Sequence, residues 1–391
     1  MSERYQLVRL GDLCNSISGL WTGKKPPFEK ATVIRNTNFT KDCKLDLSNV
    51  AVLDVETKQL QTRKLIPGDL IVEKSGGGPK QAVGRVVYFG ETIGTYSLSN
   101  FTSALRLKDS STAFPMYLQY FLYHQYLSGV TESMQSHSTG IRNLNIHQFL
   151  DINVPLPSLE KQRAVVAKLD SAFTEVDLLE ENLSLSVEKV NQLLQSILNS
   201  EYSLDGIHLE PLERLVDILD NQRIPINATE RLARVGDIPY YGATGQVGTI
   251  DKALFNETLI LLGEDGVPFF NPTKHKAYEI SGPSWVNNHA HVLRAKSEIV
   301  IQRYLLHFLN VFNYTGYVNG ATRLKLTQAD MKRIPVPLPP LEKQAAIVEK
   351  IDETFGEIEL LKEQIEMEKD HATALRQSLL SSAFSQEEVV A

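Results

Sequence analysis

The residues of this chain whose types and spacing could do chemistry are few. His289 and His291 are separated by one residue and His275 lies nearby, so these three could bind a metal ion. Histidines on the surface or in turns are the commoner origin of such a group. Three histidines alone do not distinguish a metal site from surface or turn histidines. Both explanations stay open at this point, and surface or turn histidines are favoured.

Glu264 and Asp265 are the other candidates for catalysis. They stand between Gly263 and Gly266 and could act as a carboxylate pair. A glycine-bounded turn at the end of a strand explains them without any catalytic role. We therefore expect no catalytic residue in this chain.

Motifs that bind phosphates or cofactors are missing. Residues 19–25 carry glycines and lysines, but their spacing is wrong for a phosphate-binding loop and no Ser or Thr follows the lysines. Residues 74–80 are glycine-rich but precede no clear helix start. The sequence also lacks a dinucleotide-binding glycine motif, a zinc-protease motif and a nucleophile elbow. The expectation is a chain without a cofactor and without a metal.

Bulk composition describes an ordinary globular protein. The 391 residues suggest two or three domains, and 42% of them are hydrophobic while 22% are charged. No run approaches the ~18 apolar residues that a membrane span needs. The polar N-terminus does not resemble a signal peptide, and Cys14 and Cys43 are too few for a disulfide framework. We expect a cytoplasmic location.

Charge is distributed unevenly along the chain. The net charge is −7, yet residues 158–203 alone carry −4 and residues 340–391 carry −7. Residues 1–157 carry +4, and residues 204–339 are balanced. Acidic residues are thus concentrated in two segments. The positive or balanced charge of the other two regions permits nucleic-acid binding but does not demonstrate it.

Those two acidic segments belong to a long internal repeat. Residues 152–162 return as residues 334–344, and the offset of 182 holds without a gap from Ile152 to Ser200 and from Ile334 to Ser382. This period is far too long for a solenoid repeat, so it marks two domain-sized modules.

After each repeated phrase, apolar residues recur at alternating spacings of three and four, which predicts a helix of roughly 40 residues with a coiled-coil seam. Because the two helices match in length and phase, we expect them to pair with each other, in antiparallel fashion, with Glu180 near Lys362. The predicted seam residues are Leu159, Val166, Leu169, Phe173 and Leu183 in the first helix and Leu341, Val348, Ile351, Phe355 and Ile365 in the second. A second apolar row runs beside the seam, either to dock the flanking domains or to bind a partner.

The regions between the helices are less regular. Short strand-like runs, near residues 69–72, 84–89, 258–262 and 291–295, alternate with glycine and proline turns. Helical stretches lie near residues 114–128 and 297–312. The prediction is an α+β protein with a pseudo-two-fold repeat, made of globular domains at 1–157 and 204–339 and of long helices at 158–203 and 340–391.

The twin phrases resemble those of one family, the specificity subunits of type I restriction–modification systems. Pro-Leu-Pro-x-Leu-Glu-Lys-Gln occurs twice, each time before a long helix and after a related segment, residues 139–145 or 320–326. Residues 238–245 followed by 262–266 also fit. The resemblance covers essentially the whole chain.

The resemblance implies two target-recognition domains, each reading one half of a bipartite, asymmetric site on double-stranded DNA. The long helices would set the unread spacer. It also implies that the chain is not itself an enzyme but docks two methyltransferase subunits, which bind S-adenosylmethionine, and joins motor-nuclease subunits that use ATP and Mg²⁺. Half-sites one DNA turn apart are separated by roughly 34–36 Å, which a rod of ~60 Å with a domain at each end can span.

The resemblance does not identify the residues that bind DNA, so these are chosen by chemistry. Arginine and asparagine can pair with purine bases, lysine and arginine neutralise phosphates, and aromatic rings can stack. The candidates in the first domain are Trp21, Lys24, Lys25, Lys74, Lys80, Arg142 and Asn143. Those in the second domain are Arg223, Tyr240, Tyr241, Asn288, His289, Arg323 and Lys325. The aromatic candidates could equally belong to the core, and Arg142 and Arg323 could brace their domains.

Three other functions remain open alongside that of a non-catalytic DNA-recognition and assembly subunit. The chain could recognise DNA alone or with a methyltransferase only. It could be a coiled-coil scaffold whose globular domains bind proteins. It could also be an enzyme with an unrecognised site.

Overall fold

The computed structural model describes residues 5–21, 23, 25–78, 81–138, 140–202, 207–320 and 323–384. The chain divides into two compact units: residues 1–181 with 369–391, and residues 182–368. Each unit holds one globular domain and a part of each of two long helices. The domain limits drawn from the sequence stay a prediction.

The first domain leads into the first long helix. Its elements, in chain order, are β1 (Gln6–Arg9), α1 (Leu10–Leu13), β2 (Cys14–Ser18), β3 (Phe28–Ile34), β4 (Ala51–Glu56), α2 (Thr57–Arg63), β5 (Leu70–Glu73), β6 (Ser75–Gly76), β7 (Val86–Tyr88), β8 (Tyr96–Leu98), β9 (Thr102–Leu107), α3 (Pro115–Leu127), β10 (Gln135–Ser138), β11 (Ile141–Leu144), α4 (Ile146–Leu150), β12 (Asn153–Leu156) and the long helix α5 (Leu159–Glu201). The predicted strands near 69–72 and 84–89 and the predicted helix near 114–128 are confirmed.

The second domain leads into the second long helix. Its elements are β13 (Leu209–Pro211), α6 (Leu212–Leu215), β14 (Val216–Ile218), α7 (Ala228–Ala233), β15 (Ile238–Tyr241), β16 (Gln246–Ile250), β17 (Phe255–Asn256), β18 (Leu259–Gly263), β19 (Ala277–Ile280), β20 (Pro283–Val286), β21 (Ala290–Ala295), α8 (Gln302–Val311), β22 (Val318–Asn319), β23 (Lys325–Leu326), α9 (Gln328–Lys332), β24 (Pro335–Pro337) and the long helix α10 (Leu341–Phe384). Here too the predicted strands and helix are present, and the α+β architecture with two long helices is confirmed.

The two domains share one topology although their sequences differ. The first has an antiparallel sheet in the order β2-β9-β5-β7, and the second has the corresponding order β14-β21-β18-β19. Beside it, β3 pairs antiparallel with β4 and parallel with β8, just as β15 pairs antiparallel with β16 and parallel with β20. The central strands β5 and β18 are buried along their whole length. The repeat therefore extends from the helices into both domains.

The repeated Pro-Leu-Pro phrase closes each domain. In the first, β12 pairs antiparallel with β1, and in the second β24 pairs antiparallel with β13. The phenol of Tyr117 donates a hydrogen bond to the carbonyl of Pro155, and that of Tyr304 donates one to the carbonyl of Pro337, each at 2.8 Å. These contacts bring the entry and exit of each domain together at the start of a long helix.

Within the first unit, α5 and α10 pack side by side in opposite directions. Val166 and Phe173, near the start of α5, share a hydrophobic core with Leu380 and Phe384, at the end of α10. The ring of Phe384 also packs edge-on against Tyr117 in α3, with ring centroids 5.4 Å apart. The end of the second long helix thus completes the core of the first domain.

The second unit repeats this arrangement. Leu198 and Tyr202, at the end of α5, share a core with Ile347 and Ile351, near the start of α10. The ring of Tyr202 packs against Tyr304 in α8, with centroids 5.0 Å apart. The antiparallel pairing expected from the sequence is thus seen in each unit.

Most of the predicted seam is buried or partly buried. The buried members are Val166, Leu169, Phe173, Ile351 and Ile365, and the partly buried ones are Leu159, Leu183, Val348 and Phe355. Leu341 departs from the prediction, because it is the first residue of α10 and is 39% exposed. The buried row of that helix begins one turn later, at Gln344.

Ion pairs inside the seam differ from the expectation. Glu180, for which we expected Lys362, lies 3.4 Å from Nη2 of Arg376, and Asp177 lies 2.6 Å from the same atom. The guanidinium of Arg376 also stacks over the ring of Phe173, 4.9 Å from its centroid. Lys362 pairs with Glu359 on its own helix. The exact register in which α5 and α10 pair decides these partners, and the spacing of apolar residues does not reveal that register.

The second apolar row is only partly used for docking. Val165 and Ile347, near the helix starts, pack against the adjacent domains. Further along, the exposed apolar residues are Leu178, Leu179 and Leu375 in the first unit and Leu185, Leu193, Leu360, Leu361 and Met367 in the second. Among the described residues, no helix is both long and apolar enough to cross a membrane.

Candidate nucleic-acid interface

Four of the seven predicted DNA-binding residues of the second domain gather where the buried strand β18 ends. Gly263 closes the strand, and Glu264 and Asp265 follow it. The main-chain N–H of Glu264 donates to the carbonyl of His289, and its carbonyl accepts from the N–H of Leu326. These bonds hold the segments that contain Glu264, His289 and Leu326 together at one end of the central sheet.

The two carboxylates at this strand end contact four of the predicted residues. Glu264 lies 3.0 Å from Nη1 of Arg223 and 3.1 Å from Nζ of Lys325. Asp265 lies 2.6 Å from Nη2 of Arg323 and 2.9 Å from Nδ1 of His289. We call these residues the second cluster: Arg223, Glu264, Asp265, His289, Arg323 and Lys325.

The second cluster presents positive charge to solvent. The side chains of Arg323 and Lys325 are 63% and 52% exposed, whereas those of Glu264 and Asp265 are mostly buried beneath them. Partial burial alone would raise the pKa of Asp265, but hydrogen bonding and charge from Arg323 and His289 outweigh it and lower that pKa. The Asp265 carboxylate therefore stays ionised and holds Arg323 and His289 beside it.

A buried His–Asp pair supports the cluster from below. Nδ1 of His291 lies 2.6 Å from a carboxylate oxygen of Asp220, and Nε2 lies 3.0 Å from the carbonyl oxygen of Leu326. Both ring nitrogens of His291 thus lie within hydrogen-bond distance of an oxygen atom. Burial would raise the pKa of Asp220, but hydrogen bonds from His291 and the Val292 N–H lower it.

The remaining candidates of the second domain are placed unequally. Asn288 is exposed in the turn between β20 and β21, next to the cluster. Tyr241 is half-buried, and its carbonyl accepts from the N–H of Asn287 in the same turn. Tyr240 is 3% exposed and packs with Trp285 in a small core, which assigns its ring a structural role.

The first domain gathers its candidates at the equivalent strand end. Lys74 follows β5, its N–H donates to the carbonyl of Phe101, and its carbonyl accepts from the N–H of Leu144. Arg142 and Asn143 lie in β11, which pairs with β6, and the hydroxyl of Ser75 donates to Oδ1 of Asn143 at 2.6 Å. We call Lys74, Ser75, Arg142 and Asn143 the first cluster.

A second loop of the first domain, which follows β2, bridges to Ser99 directly after β8. The N–H of Leu20 donates to the carbonyl of Leu98, and the next residue, Trp21, is 65% exposed. Lys25 is also exposed, and its N–H donates to the carboxylate of Glu56. Trp21 is thus a surface residue and not part of the core. Lys24 and Lys80 lie outside the described residues.

Several residues of these sites were not foreseen. From the sequence, Glu264 and Asp265 were weighed as a catalytic pair and explained as a turn, and Asp220 had no expected role. The pattern Gly-Glu-Asp-Gly after an apolar run was the available signal, but it did not show which cations the carboxylates would meet. His291, considered as a metal ligand, instead forms the buried pair with Asp220, and among the described residues no group of three or more His, Cys, Asp or Glu side chains could hold a metal ion.

Comparison with known proteins gives the family. The model of the type I restriction–modification DNA specificity domain matches residues 2–189 and 211–368, which together make up most of the chain. The chain belongs to this family, as the twin phrases indicated, and the two matches agree with the two domains of shared topology.

Curated relatives carry the same description. A putative type I restriction enzyme specificity subunit from Haemophilus influenzae is 34% identical over 157 residues, which is 39% of each chain. The StySPI specificity subunit from Salmonella potsdam is 24% identical over 355 residues, covering 83% of this chain and 75% of its own.

Solved structures confirm the fold. One similar chain comes from a study of the structural basis of complex assembly and conformational transition of the type I R-M system. Its TM-score is 0.74 at 16% identity, and 97% of each chain is covered. The HsdS subunit from Thermoanaerobacter tengcongensis has a TM-score of 0.56 at 16% identity, covering 97% of this chain and 96% of that one.

Proposed function

We propose that this chain is the DNA-reading subunit of a type I restriction–modification enzyme and that each globular domain reads one half of a bipartite, asymmetric site. The observation that supports this most directly is the pair of clusters. They occupy the same strand end of the same topology but carry different side chains, Lys74 and Asn143 in one and Glu264 and Lys325 in the other. Equivalent sites with different hydrogen-bonding groups read different bases.

The long helices set the distance between the two half-sites. Helix α5 has 43 residues and α10 has 44, so each is about 65 Å long at 1.5 Å per residue. Half-sites read from one face of DNA lie roughly 34–36 Å apart. Because the two domains carry different clusters, the site is not palindromic.

The chemistry belongs to partner subunits. Two methyltransferase subunits bring S-adenosylmethionine, and motor-nuclease subunits bring ATP and Mg²⁺, while this chain brings no cofactor, metal or catalytic residue. The exposed leucines of the long helices support a docking role, since a partner subunit could bury their apolar side chains. We assign the methyltransferase contact to the leucines at 178–179, 185, 193, 360–361 and 375.

The test is co-expression with the cognate methyltransferase in a host without its own adenine methylation, followed by genome-wide mapping of N6-methyladenine. A split, asymmetric motif with methylation in both halves is the expected result. Replacing residues 1–157 with the first domain of the StySPI subunit should then change one half of the motif and leave the other and the spacer unchanged.

Two outcomes would contradict the proposal. A methyltransferase that co-purifies and is active, but methylates no motif, would favour a protein scaffold. A chimera that changes both halves would show that the domains do not read independently.

A further inference from the structure

Glu264, in the second cluster, directly follows the buried central strand of the second domain. Its first-domain equivalent is Lys74, because both residues follow the buried central strand and make the same two main-chain hydrogen bonds. The N–H of Lys74 donates to Phe101 and its carbonyl accepts from Leu144, just as Glu264 does with His289 and Leu326. The domain therefore builds this strand end with a lysine in one copy and with a carboxylate in the other.

A carboxylate is thus not required by the fold at this position. It is also unfavourable next to DNA, because it repels the phosphates that the surrounding cations attract. The ion pair with Lys325, which is 52% exposed, contributes little to stability, whereas the pair with Arg223, which is 13% exposed, is mostly buried and does contribute. The role of the carboxylate has to be sought in what it does to its neighbours.

Each oxygen of Glu264 contacts a different cation. Oε2 lies 3.0 Å from Nη1 of Arg223, and Oε1 lies 3.1 Å from Nζ of Lys325. Arg223 is further fixed by the carbonyls of Ala290, at 2.6 Å, and Asp220, at 3.1 Å. Lysine and arginine side chains are long and flexible, so a fixed carboxylate removes conformations that would otherwise be lost only on binding.

We propose that Glu264 is a positioning residue for base discrimination: it holds Lys325 and Arg223 in the geometry that distinguishes one base from another in the second half-site. The inference rests on the proposed function. Loss of Glu264 should change general DNA affinity and base discrimination in opposite directions. It adds net positive charge to the cluster, and it also frees the two cations. General affinity for DNA should rise and discrimination should fall.

The test is Glu264→Gln in the complex with the cognate methyltransferase. Affinities are measured for a duplex that carries the mapped motif and for duplexes with single base changes in either half. The variant should bind a motif-free duplex more tightly, and its discrimination in the second half should fall about tenfold, as expected for one misplaced base contact. Discrimination in the first half should stay as in the wild type. The melting temperature should fall because Arg223 loses a mostly buried partner, so the affinities are measured below the unfolding transition of the variant.

Glu257→Gln is the matched control. Glu257 lies just before the other end of the same strand and binds Arg294 with both oxygens at 2.6 Å. Arg294 and Glu257 are 41% and 36% exposed, so this variant loses a more exposed ion pair that lies outside the second cluster, and it should retain the wild-type discrimination in both halves.

The inference is overturned if Glu264→Gln leaves second-half discrimination unchanged, relaxes both halves equally, or is matched by Glu257→Gln. Failure of the proposed function has a different signature: the wild-type complex would then show no split motif. Methylation mapping of the wild type separates the two cases.

Discussion

Gln162 and Gln344, 182 residues apart, make the same three hydrogen bonds in two different domains. Each is fully buried in the first turns of a long helix. The side-chain oxygen accepts a main-chain N–H from the residue before the domain's packing helix, Phe114 at 2.7 Å and Ile301 at 2.8 Å. The side-chain nitrogen donates to two main-chain carbonyls, those of Thr112 and Pro157 in the first domain and those of Ile299 and Pro339 in the second. The repeated glutamine therefore joins each domain rigidly to its helix.

Removal of this glutamine should destabilise the domain it serves. Gln344→Met keeps the side-chain volume but leaves a buried N–H and two carbonyls without these partners, so the free energy of unfolding should fall by about 3 kcal/mol. Urea denaturation can follow this through Trp285, which is buried in the second domain, in a Trp21→Phe background. Gln192→Met, at an exposed position of α5, should change stability by less than about 0.5 kcal/mol. Equal effects of the two variants would contradict the assigned role.

Arg376 should be the important cation of the helix pair in the first unit. Its side chain is 5% exposed, binds Asp177 and Glu180 and stacks on Phe173. Arg376→Met keeps much of the packing but leaves two carboxylates with less compensation. Because both carboxylates are 40% exposed, the loss should be about 1–2 kcal/mol, below the cost of breaking a fully buried pair.

The control for Arg376 is Lys362→Met, which breaks only a pair with Glu359 on the same helix and should cost under about 0.5 kcal/mol. Thermal or urea unfolding of the two variants measures the difference. A larger effect at Lys362 would mean that the helices pair in the register first expected from the sequence.

Asp220 should make the stability of the second domain depend on pH in the acid range. Its pKa is lowered in the folded state, so its contribution is present above the unfolded value of about 3.9 and is lost as the pH falls through the folded value. Asp220→Asn should therefore cost about 2 kcal/mol at pH 7 and progressively less below pH 4. Urea denaturation at several pH values tests this, with the exposed Asp217→Asn as the control. A loss that does not shrink at acid pH would assign Asp220 no ionic role.

The exposed leucines of the helices should matter for assembly more than for folding. Leu360→Ser with Leu361→Ser should leave the melting temperature nearly unchanged, because both side chains are already largely exposed. The affinity for the methyltransferase subunit should fall by about tenfold or more, since leucines that become buried on binding supply apolar area that serine does not. Leu232→Ser, at an exposed site on α7, should not affect it. Isothermal titration with the purified methyltransferase subunit makes the comparison.

The sequence predicted the long helices and the repeat well because those depend on regular spacing. Apolar residues at three-four intervals determine a helix and its buried face regardless of context. The same rule does not explain the two glutamines, which are polar residues in an apolar row and are buried by hydrogen bonds to the adjoining domain. It also placed Leu341 in the seam, because spacing does not show where burial begins.

The candidate sites were less predictable because they are assembled from distant loops. Trp21 and Tyr240 look alike as aromatic candidates, yet one is 65% exposed and the other is in a core. Spacing also did not reveal that Glu264 would meet Arg223 and Lys325, which lie 41 and 61 residues away in the chain. Such contacts depend on strand order, which the sequence pattern left open.

The most direct test of two independent readers uses the equivalent residues Asn143 and Lys325. Asn143 pairs with Ser75 after strand β5, and Lys325 pairs with Asp265 after strand β18. N6-methyladenine is mapped genome-wide for Asn143→Ala and for Lys325→Ala, each co-expressed with the cognate methyltransferase. We predict that each variant relaxes the motif in a different half and leaves the spacer unchanged. Relaxation of the same half by both variants, or an unchanged motif in both, would contradict the two-reader arrangement.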